Sequence, residues 1–524
     1  MDRLKKFFVN GILMTVVSIV IRYVAVNFNI YISNKIGPVA MGLFTLISSV
    51  YGFALTLATS GISLATTKLV SEALGTGTRK RGFNTSATVA SIMKKSILLS
   101  FVISLLVAFG LFMLSEPIGA RILKDTRTIS SLKILAVSLP PIAISSSLSG
   151  YFIAMRRVYK NALVQVLSQG ARIYFCVMLL GSTLSNDMES ACVAIVLGGT
   201  IAEFIAFSFH LVLYILERRK ERQGVSSAGA PDKSFASRLA SITLPVALSA
   251  YMRSALVTVE HLLIPWGLQK SGDSRDSSLA AYGTVHSMVF PLVLFPSAIS
   301  SSFAGLLIPE ISESNAMGDR ARIDRIISRV LKTVLIYSIG TAAIMMCLSG
   351  EFGSLLFPMS NAAKYIALIA PLIPIMYLDT SVDSILKGLG YQFYSMIVNI
   401  LDASLSVLLV WILLPRFGIM GYIITVYFTE IVNAALSITK LLIVTKTKVR
   451  FFDWIFKPIL CSVIATGAAG YLFLLTNRMA TSRFELFIHI ALISCLYLCL
   501  LIIFGVISPK KITRSIKNFL RTEK

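Results

Sequence analysis

The sequence predicts an all-α polytopic membrane protein of about fourteen transmembrane helices. Twelve form two six-helix lobes related by a pseudo-twofold axis along the membrane normal, and two more follow at the C-terminal side. Three observations predict it. The chain of 524 residues is 56% hydrophobic and only 14% charged, with a mean hydropathy of +0.79, whereas soluble domains are about one quarter charged. Apolar runs of the roughly 20 residues needed to cross a bilayer recur along the whole chain, and none shows the short alternation of a membrane β-barrel. Finally, residues 281–332 echo residues 40–95 at a constant offset, which pairs Gly42 with Gly283, Ser60 with Ser301, Ser71 with Ser312, Glu72 with Glu313, Arg79 with Arg320 and Arg81 with Arg322. A gapless register of that length indicates a duplicated membrane unit.

Taken in order, the basic start MDRLKKFF precedes an apolar run interrupted by Arg22 and lacks a small-residue cleavage site at the usual distance. It reads as an uncleaved first span. The expected spans are 7–33, 39–66, 94–115, 129–154, 161–181 and 190–216, which make an N-lobe of residues 1–216. A polar linker, 217–238, leads to spans 239–265, 282–308, 332–350, 364–386, 391–413 and 418–441, the C-lobe of 239–442. Residues 443–508 hold spans 457–476 and 484–507, and the basic tail 509–524 reads either as a membrane-surface helix or as a solvated, frayed tail. A weaker repeat sets 159–175 on 391–407, in the fifth and eleventh spans. With the N-terminus inside, 34 of the 49 Lys and Arg residues fall in inner segments, 11 in outer loops and four within spans. That asymmetry places both termini in the cytoplasm.

The net charge of +24 does not indicate a nucleic-acid partner, because the cations sit in short loops and no basic domain could fold in water. The six cysteines lie in apolar runs, with neither a disulfide framework nor zinc spacing. There is no phosphate-binding loop of the G-x-x-x-x-G-K-[ST] type, and the glycines of GTGTRKRG lack dinucleotide spacing. With no clustered acids or histidines at a membrane face, an enzyme is not expected, and neither is a cofactor.

Ionisable residues within spans are costly and therefore functional candidates. Arg22 in the first span and Arg253 in the seventh hold corresponding places in the two lobes. A guanidinium stays charged and grips phosphate through two parallel hydrogen bonds, so the pair is the candidate pyrophosphate site, with Glu260 beside it. The competing reading is one internal ion pair each, for example Arg253 with Glu260. Glu260 and the adjacent His261 could titrate, bind a cation or be solvated at the interface. Asp379 and Asp383 share a face of the tenth span, and either bind a cation or pair with Lys387. Asn399 and Asp402 in the eleventh span, with Thr425 and Thr429 in the next, offer oxygens for a coupling Na⁺ or a proton relay. Arg172, Glu203 and Glu430 read as interhelical structural partners. Prolines such as Pro141, Pro245, Pro291 and Pro371 bend spans, as in many membrane helices.

The run R-x₁₄-G-P-x-x-M-G-L-F from Arg22 to Phe44 resembles the opening of polysaccharide-export flippases. YGTVHSMVFPLVLFPSAISSSFAGLLIPEISES, from Tyr282, resembles the eighth helix of the stage V sporulation protein B group. That group belongs to the multidrug/oligosaccharidyl-lipid/polysaccharide exporter superfamily, together with lipid II flippases. The resemblance implies two lobes around a cationic cavity, in which Arg22 and Arg253 meet an undecaprenyl-pyrophosphate-linked saccharide. It also implies movement from the cytoplasmic to the outer leaflet by alternating access without ATP, driven by Na⁺, H⁺ or the membrane potential, with spore cortex synthesis as one setting. The first helix departs from the richer arginine clusters of relatives by carrying a single arginine in its apolar length. Membrane lipids and cell-wall synthesis proteins are the further partners, and a monomer suffices. Two rivals are a cation-coupled multidrug exporter of the same superfamily and a non-transporting scaffold for wall synthesis.

Overall fold

The computed structural model describes residues 2–79, 85–182, 187–222, 235–447, 449–476, 480 and 482–507. Residues 223–234 of the linker and the whole basic tail therefore lie outside the described residues. Among the described residues every regular element is a helix. Twelve of these helical stretches are long and apolar enough to cross a membrane, so the chain is a multi-pass membrane protein. Fourteen is the count expected from sequence. The twelve include Val17–Leu74 as one stretch and do not include the 36-residue helix Phe235–Lys270, where the seventh span was expected.

The first element, α1 (Asp2–Thr59), carries a kink at Gly37, where φ is 78° and ψ is 173°. A positive φ is open to glycine at little steric cost, and the following Pro38 cannot donate to the helical ladder. The Gly-Pro step thus separates the first two expected spans without ending the helical stretch. Gly61, with φ of 77°, breaks the chain again before α2 (Ile62–Arg79). The second expected span is therefore a broken helix, as is its counterpart in the second half. There α8 (Arg275–Gly283) passes through a π-helical segment, Thr284–Val289, and α9 (Phe290–Leu294) before Pro296 opens α10 (Ser297–Ala316).

The described chain divides into two compact units. Unit 1 comprises 1–28, 39–283 and 407–418. Its helices are most of α1, α2, α3 (Thr85–Pro117), α4 (Ile129–Ala154), α5 (Val158–Ser182), α6 (Met188–Arg222), α7 (Phe235–Lys270) and α8. A core of Val70, Met93, Leu148, Tyr151 and Phe152 joins α2, α3 and α4. The helix α7 lies against the second part of α1: Tyr251 donates to the Leu57 carbonyl, Ser254 to Thr56 Oγ1, and Thr258 to the Ser49 carbonyl. Gly42 sits where α8 crosses, and a Cβ there would fall 2.0 Å from the Leu279 carbonyl oxygen. That contact explains why the motif after Arg22 carries a glycine at this point.

Unit 2 comprises the described residues of 29–38, 284–406 and 419–507. After α10 it holds α11 (Arg320–Cys347), α12 (Ser349–Leu356), α13 (Ala362–Ile369), α14 (Ile373–Gly388), most of α15 (Gln392–Phe417), α16 (Ile419–Thr445), α17 (Lys457–Thr476) and α18 (Arg483–Ile503). Ile311, Ile327, Leu331, Ile385, Leu386 and Trp454 form its main core.

One contact recurs inside each unit. Thr67 of α2 donates to the Gly150 carbonyl near the end of α4 at 3.0 Å, and Ser312 of α10 donates to the Gly388 carbonyl at the end of α14 at 2.9 Å. Each glycine lets its helix close on its neighbour, since a Cβ would meet the Ser63 oxygen at 2.6 Å or the Ile308 oxygen at 3.1 Å.

Candidate functional site

Four cations were expected within spans, and their surroundings separate them. Arg172 of α5 binds Glu203 of α6 at 2.6 Å, an interhelical ion pair as the sequence suggests. Lys440 of α16 lies over the rings of Tyr391 and Tyr394, at 4.7 and 5.2 Å from their centroids. Both charges are thereby stabilised within the protein. Arg22, half-buried on α1, and Arg253, exposed on α7, make neither an ion pair nor a hydrogen bond among the described residues.

The local geometry of α7 shows how Arg253 is presented. Tyr251, Ser254 and Thr258 fix one face to α1. At about 100° per residue, Arg253 points roughly a third of a turn away from that seam, on the face it shares with Glu260. His261 is held differently: its Nδ1 is 2.7 Å from the hydroxyl of buried Tyr282, which ties α7 to α8.

In unit 2 the candidate coupling residues divide into two sets. Asp383 pairs with Lys387 one turn on, at 2.5 Å. Asp379, one turn earlier, accepts from Asn433 Nδ2 at 3.1 Å. The charges of Asp402 on α15 and Asp379 on α14 both bear on half-buried Glu430 of α16. Carboxylates from two helices thus act on an acid of a third, with Asn433 bonded to one of them. Asn399 donates to the Ser395 carbonyl and Thr425 to the Gly421 carbonyl, each one turn back on its own helix. Among the described residues no group of three or more His, Cys, Asp or Glu has the arrangement to hold a metal ion. Sequence reasoning set Glu430 aside as a structural partner; an acid in an otherwise apolar stretch was the signal for a closer look.

Unit 2 also carries an apolar groove of about 940 Å³ along α11, α14 and α17, walled by Ile339, Ala343, Pro374, Leu378, Ile459 and Val463. Its wall is shaped by small and cyclic residues and offers very few polar atoms, which suits a hydrocarbon chain.

Comparison with known proteins accords with this architecture. The model of the family described as "Polysaccharide biosynthesis protein" matches residues 7–315, and that described as "MatE" matches residues 271–412. Stage V sporulation protein B of Bacillus subtilis (strain 168) is 24% identical over 520 residues, covering 97% of this chain and 98% of that protein. The Lipid II flippase MurJ of the same organism is 23% identical over 428 residues, covering 76% and 75%. Among solved structures, an inward-facing multidrug resistance MATE family transporter of the MOP superfamily matches with a TM-score of 0.63 at 12% identity, over 83% of this chain and 100% of that one. A Lipid II flippase MurJ in an inward closed conformation matches with a TM-score of 0.61 at 14% identity, over 88% and 98%. The fold is one used by transporters, and no relative named here is an enzyme. With its first 315 residues spanned almost entirely by one family model, the chain belongs to the polysaccharide biosynthesis protein family.

Proposed function

We propose that this protein is a flippase for a polyprenyl-pyrophosphate-linked saccharide, moving it from the cytoplasmic to the outer leaflet of a bacterial plasma membrane by alternating access. The observation that carries the proposal is the contrast among in-span cations: Arg172 is paired with Glu203 and Lys440 lies over two tyrosine rings, while Arg22 and Arg253 make no ion pair or hydrogen bond among the described residues. A guanidinium without a partner inside a membrane protein is expensive, and a bound anion removes that cost. Each guanidinium can hold two phosphate oxygens at once, so two of them suit a pyrophosphate, with Glu260 beside Arg253 to orient a sugar hydroxyl. The saccharide is a lipid II-like peptidoglycan precursor or a polysaccharide unit, and a role in spore cortex synthesis follows the sporulation relative.

Coupling to Na⁺, a proton or the membrane potential runs, on the same reading, through Asp379, Asp402 and Glu430, with Asn399 and Thr425 as further oxygen donors. Asp383 is left to its pair with Lys387. Protein reconstituted with a fluorescent lipid II analogue tests the substrate class: the proposal expects the probe to become accessible in the opposite leaflet. The rival, a cation-coupled drug exporter, draws on the MatE match and the acidic group, and predicts export of a cationic dye with no movement of the lipid probe. Movement of neither would leave the scaffold reading.

A further inference from the structure

A second groove, in unit 1, lies far in character from the one above. It has a volume of about 870 Å³ and runs between α3, α4 and α6. Its α3 wall is a single helical stripe, Ala90, Ser91, Lys94, Ile97, Leu98 and Phe101, with Ile144 of α4 between it and α6. The α6 wall is Tyr214, Ile215, Arg218 and Arg219. Cations and apolar residues are therefore segregated along the groove: Lys94, Arg218 and Arg219 at one end, hydrocarbon at the other.

Charge at the basic end is unbalanced among the described side chains. Glu217, an adjacent acid on α6, is buried and bound by Arg157 and Lys160. Lys94, Arg218 and Arg219 have no ion-pair partner among the described residues, and Nη1 of Arg218 is buried without a hydrogen-bond acceptor. An anion at that atom would complete the guanidinium, and hydrogen bonds to a charged phosphate are the strong kind. The apolar end has the dimensions of one leaflet. From Ser91 to Phe101 α3 rises about 15 Å, half the thickness of the hydrocarbon core. Leu98, Phe101 and Ile215 are 60%, 41% and 42% exposed, so they meet lipid chains in any bilayer.

We infer that this groove is a binding site for a resident anionic phospholipid. Its phosphate sits on Lys94, Arg218 and Arg219, and an acyl chain lies along Ile97, Leu98 and Phe101. Basic pockets between membrane helices on the side of the basic loops recognise such head groups. The groove binds α3, α4 and α6 together, so an occupied site braces unit 1 at its basic end. The inference stands apart from the identity of the transported saccharide: binding is read without transport, and its failure would leave the flippase proposal untouched.

The test is native mass spectrometry of the full chain released from detergent, after equilibration with phosphatidylglycerol or with phosphatidylcholine. The wild type is expected to retain phosphatidylglycerol selectively. The variant Lys94→Gln/Arg218→Gln/Arg219→Gln is expected to bind it more weakly by on the order of 100-fold, at about one kcal/mol per cation near the phosphate. Ile97→Trp keeps every charge, fills the groove and should also lose the lipid, while Lys364→Gln, elsewhere on the surface, should not. Size-exclusion profiles check that each variant is folded. Equal retention of phosphatidylglycerol by wild type and triple variant overturns the inference. So does equal retention of both phospholipids, displacement by soluble glycerol phosphate at the same concentration, or preferential occupancy by a lipid II analogue.

Discussion

Arg275 reaches Asp125 across two loops of unit 1, its Nη2 3.1 Å from the carboxylate and 3.0 Å from the Leu123 carbonyl. Asp125 follows the π-helical turn Ile118–Ile122 that ends α3, and Arg275 opens α8. Arg127 grips the same carboxylate from the other side with Nε at 2.9 Å and Nη2 at 2.7 Å. Asp125 is 6% exposed. One buried carboxylate thus holds the α3–α4 loop to the start of α8.

A pH dependence follows from this clasp. Burial pushes the Asp125 carboxyl up, but the hydrogen bonds and charge of Arg127, with the charge of Arg275, hold it below the usual carboxylate range. A depressed pKa stabilises the fold above the unfolded-state value of about 4 and loses that contribution as pH falls through the folded value. Asp125→Asn should cost about 1–2 kcal/mol at pH 7. Thermal unfolding of wild type and variant should differ by a constant amount from pH 7 to pH 5 and converge in strong acid. A gap that persists unchanged in strong acid would contradict the assignment.

The two glycine contacts predict an ordered pair of effects. Gly150→Ala places a methyl 2.6 Å from the Ser63 oxygen, and overpacking of that kind costs about 1–3 kcal/mol. Gly388→Ala, with 3.1 Å to the Ile308 oxygen, should cost less. Gly52→Ala, with nothing within 4 Å, should be neutral or stabilising through better helix propensity. Melting temperatures in one detergent rank the three.

For the Arg172–Glu203 pair, truncating one partner leaves the other charge alone in the membrane. Arg172→Ala is expected to destabilise by on the order of 3 kcal/mol, whereas Arg172→Gln/Glu203→Gln should recover most of the loss. Transport by the double variant should stay near wild type, because this pair is structural. A transport defect in a stable double variant would place it in the path of the substrate.

The acidic group is tested by ion dependence. Glu430→Gln, Asp402→Asn and Asp379→Asn should each remove the response of transport to a Na⁺ or proton gradient. Asp383→Asn, whose charge is used by Lys387, should keep it. The initial rate with and without an imposed gradient reads both.

Much of this architecture is legible in the sequence, because a bilayer turns composition into geometry. Apolar run lengths marked most of the helices. Arg172 and Glu203 were recognisable as partners because so few ions occur within spans. What could not be read are relations set by packing between distant segments. The positive φ at Gly61 breaks the second span through a local turn that hydropathy does not register. Nothing in residues 239–265 announces that Tyr251, Ser254 and Thr258 bond to α1 within unit 1. Glu430 was passed over because its neighbours Asp379 and Asp402 arrive from two other helices. The four-residue spacing of Asp379 and Asp383 left open which acid pairs with Lys387, and side-chain geometry selected Asp383.

On the proposed function, Arg22 and Arg253, without ion pairs or hydrogen bonds among the described residues, await a lipid-linked pyrophosphate. The most direct measurement of this claim is the rate at which a fluorescent lipid II analogue crosses the bilayer in proteoliposomes, for wild type and for Arg22→Gln/Arg253→Gln, with Arg172→Gln/Glu203→Gln as the paired-charge control. The account predicts movement by the wild type and the control, and a rate at the protein-free background for the arginine variant. Equal rates in wild type and arginine variant would contradict it.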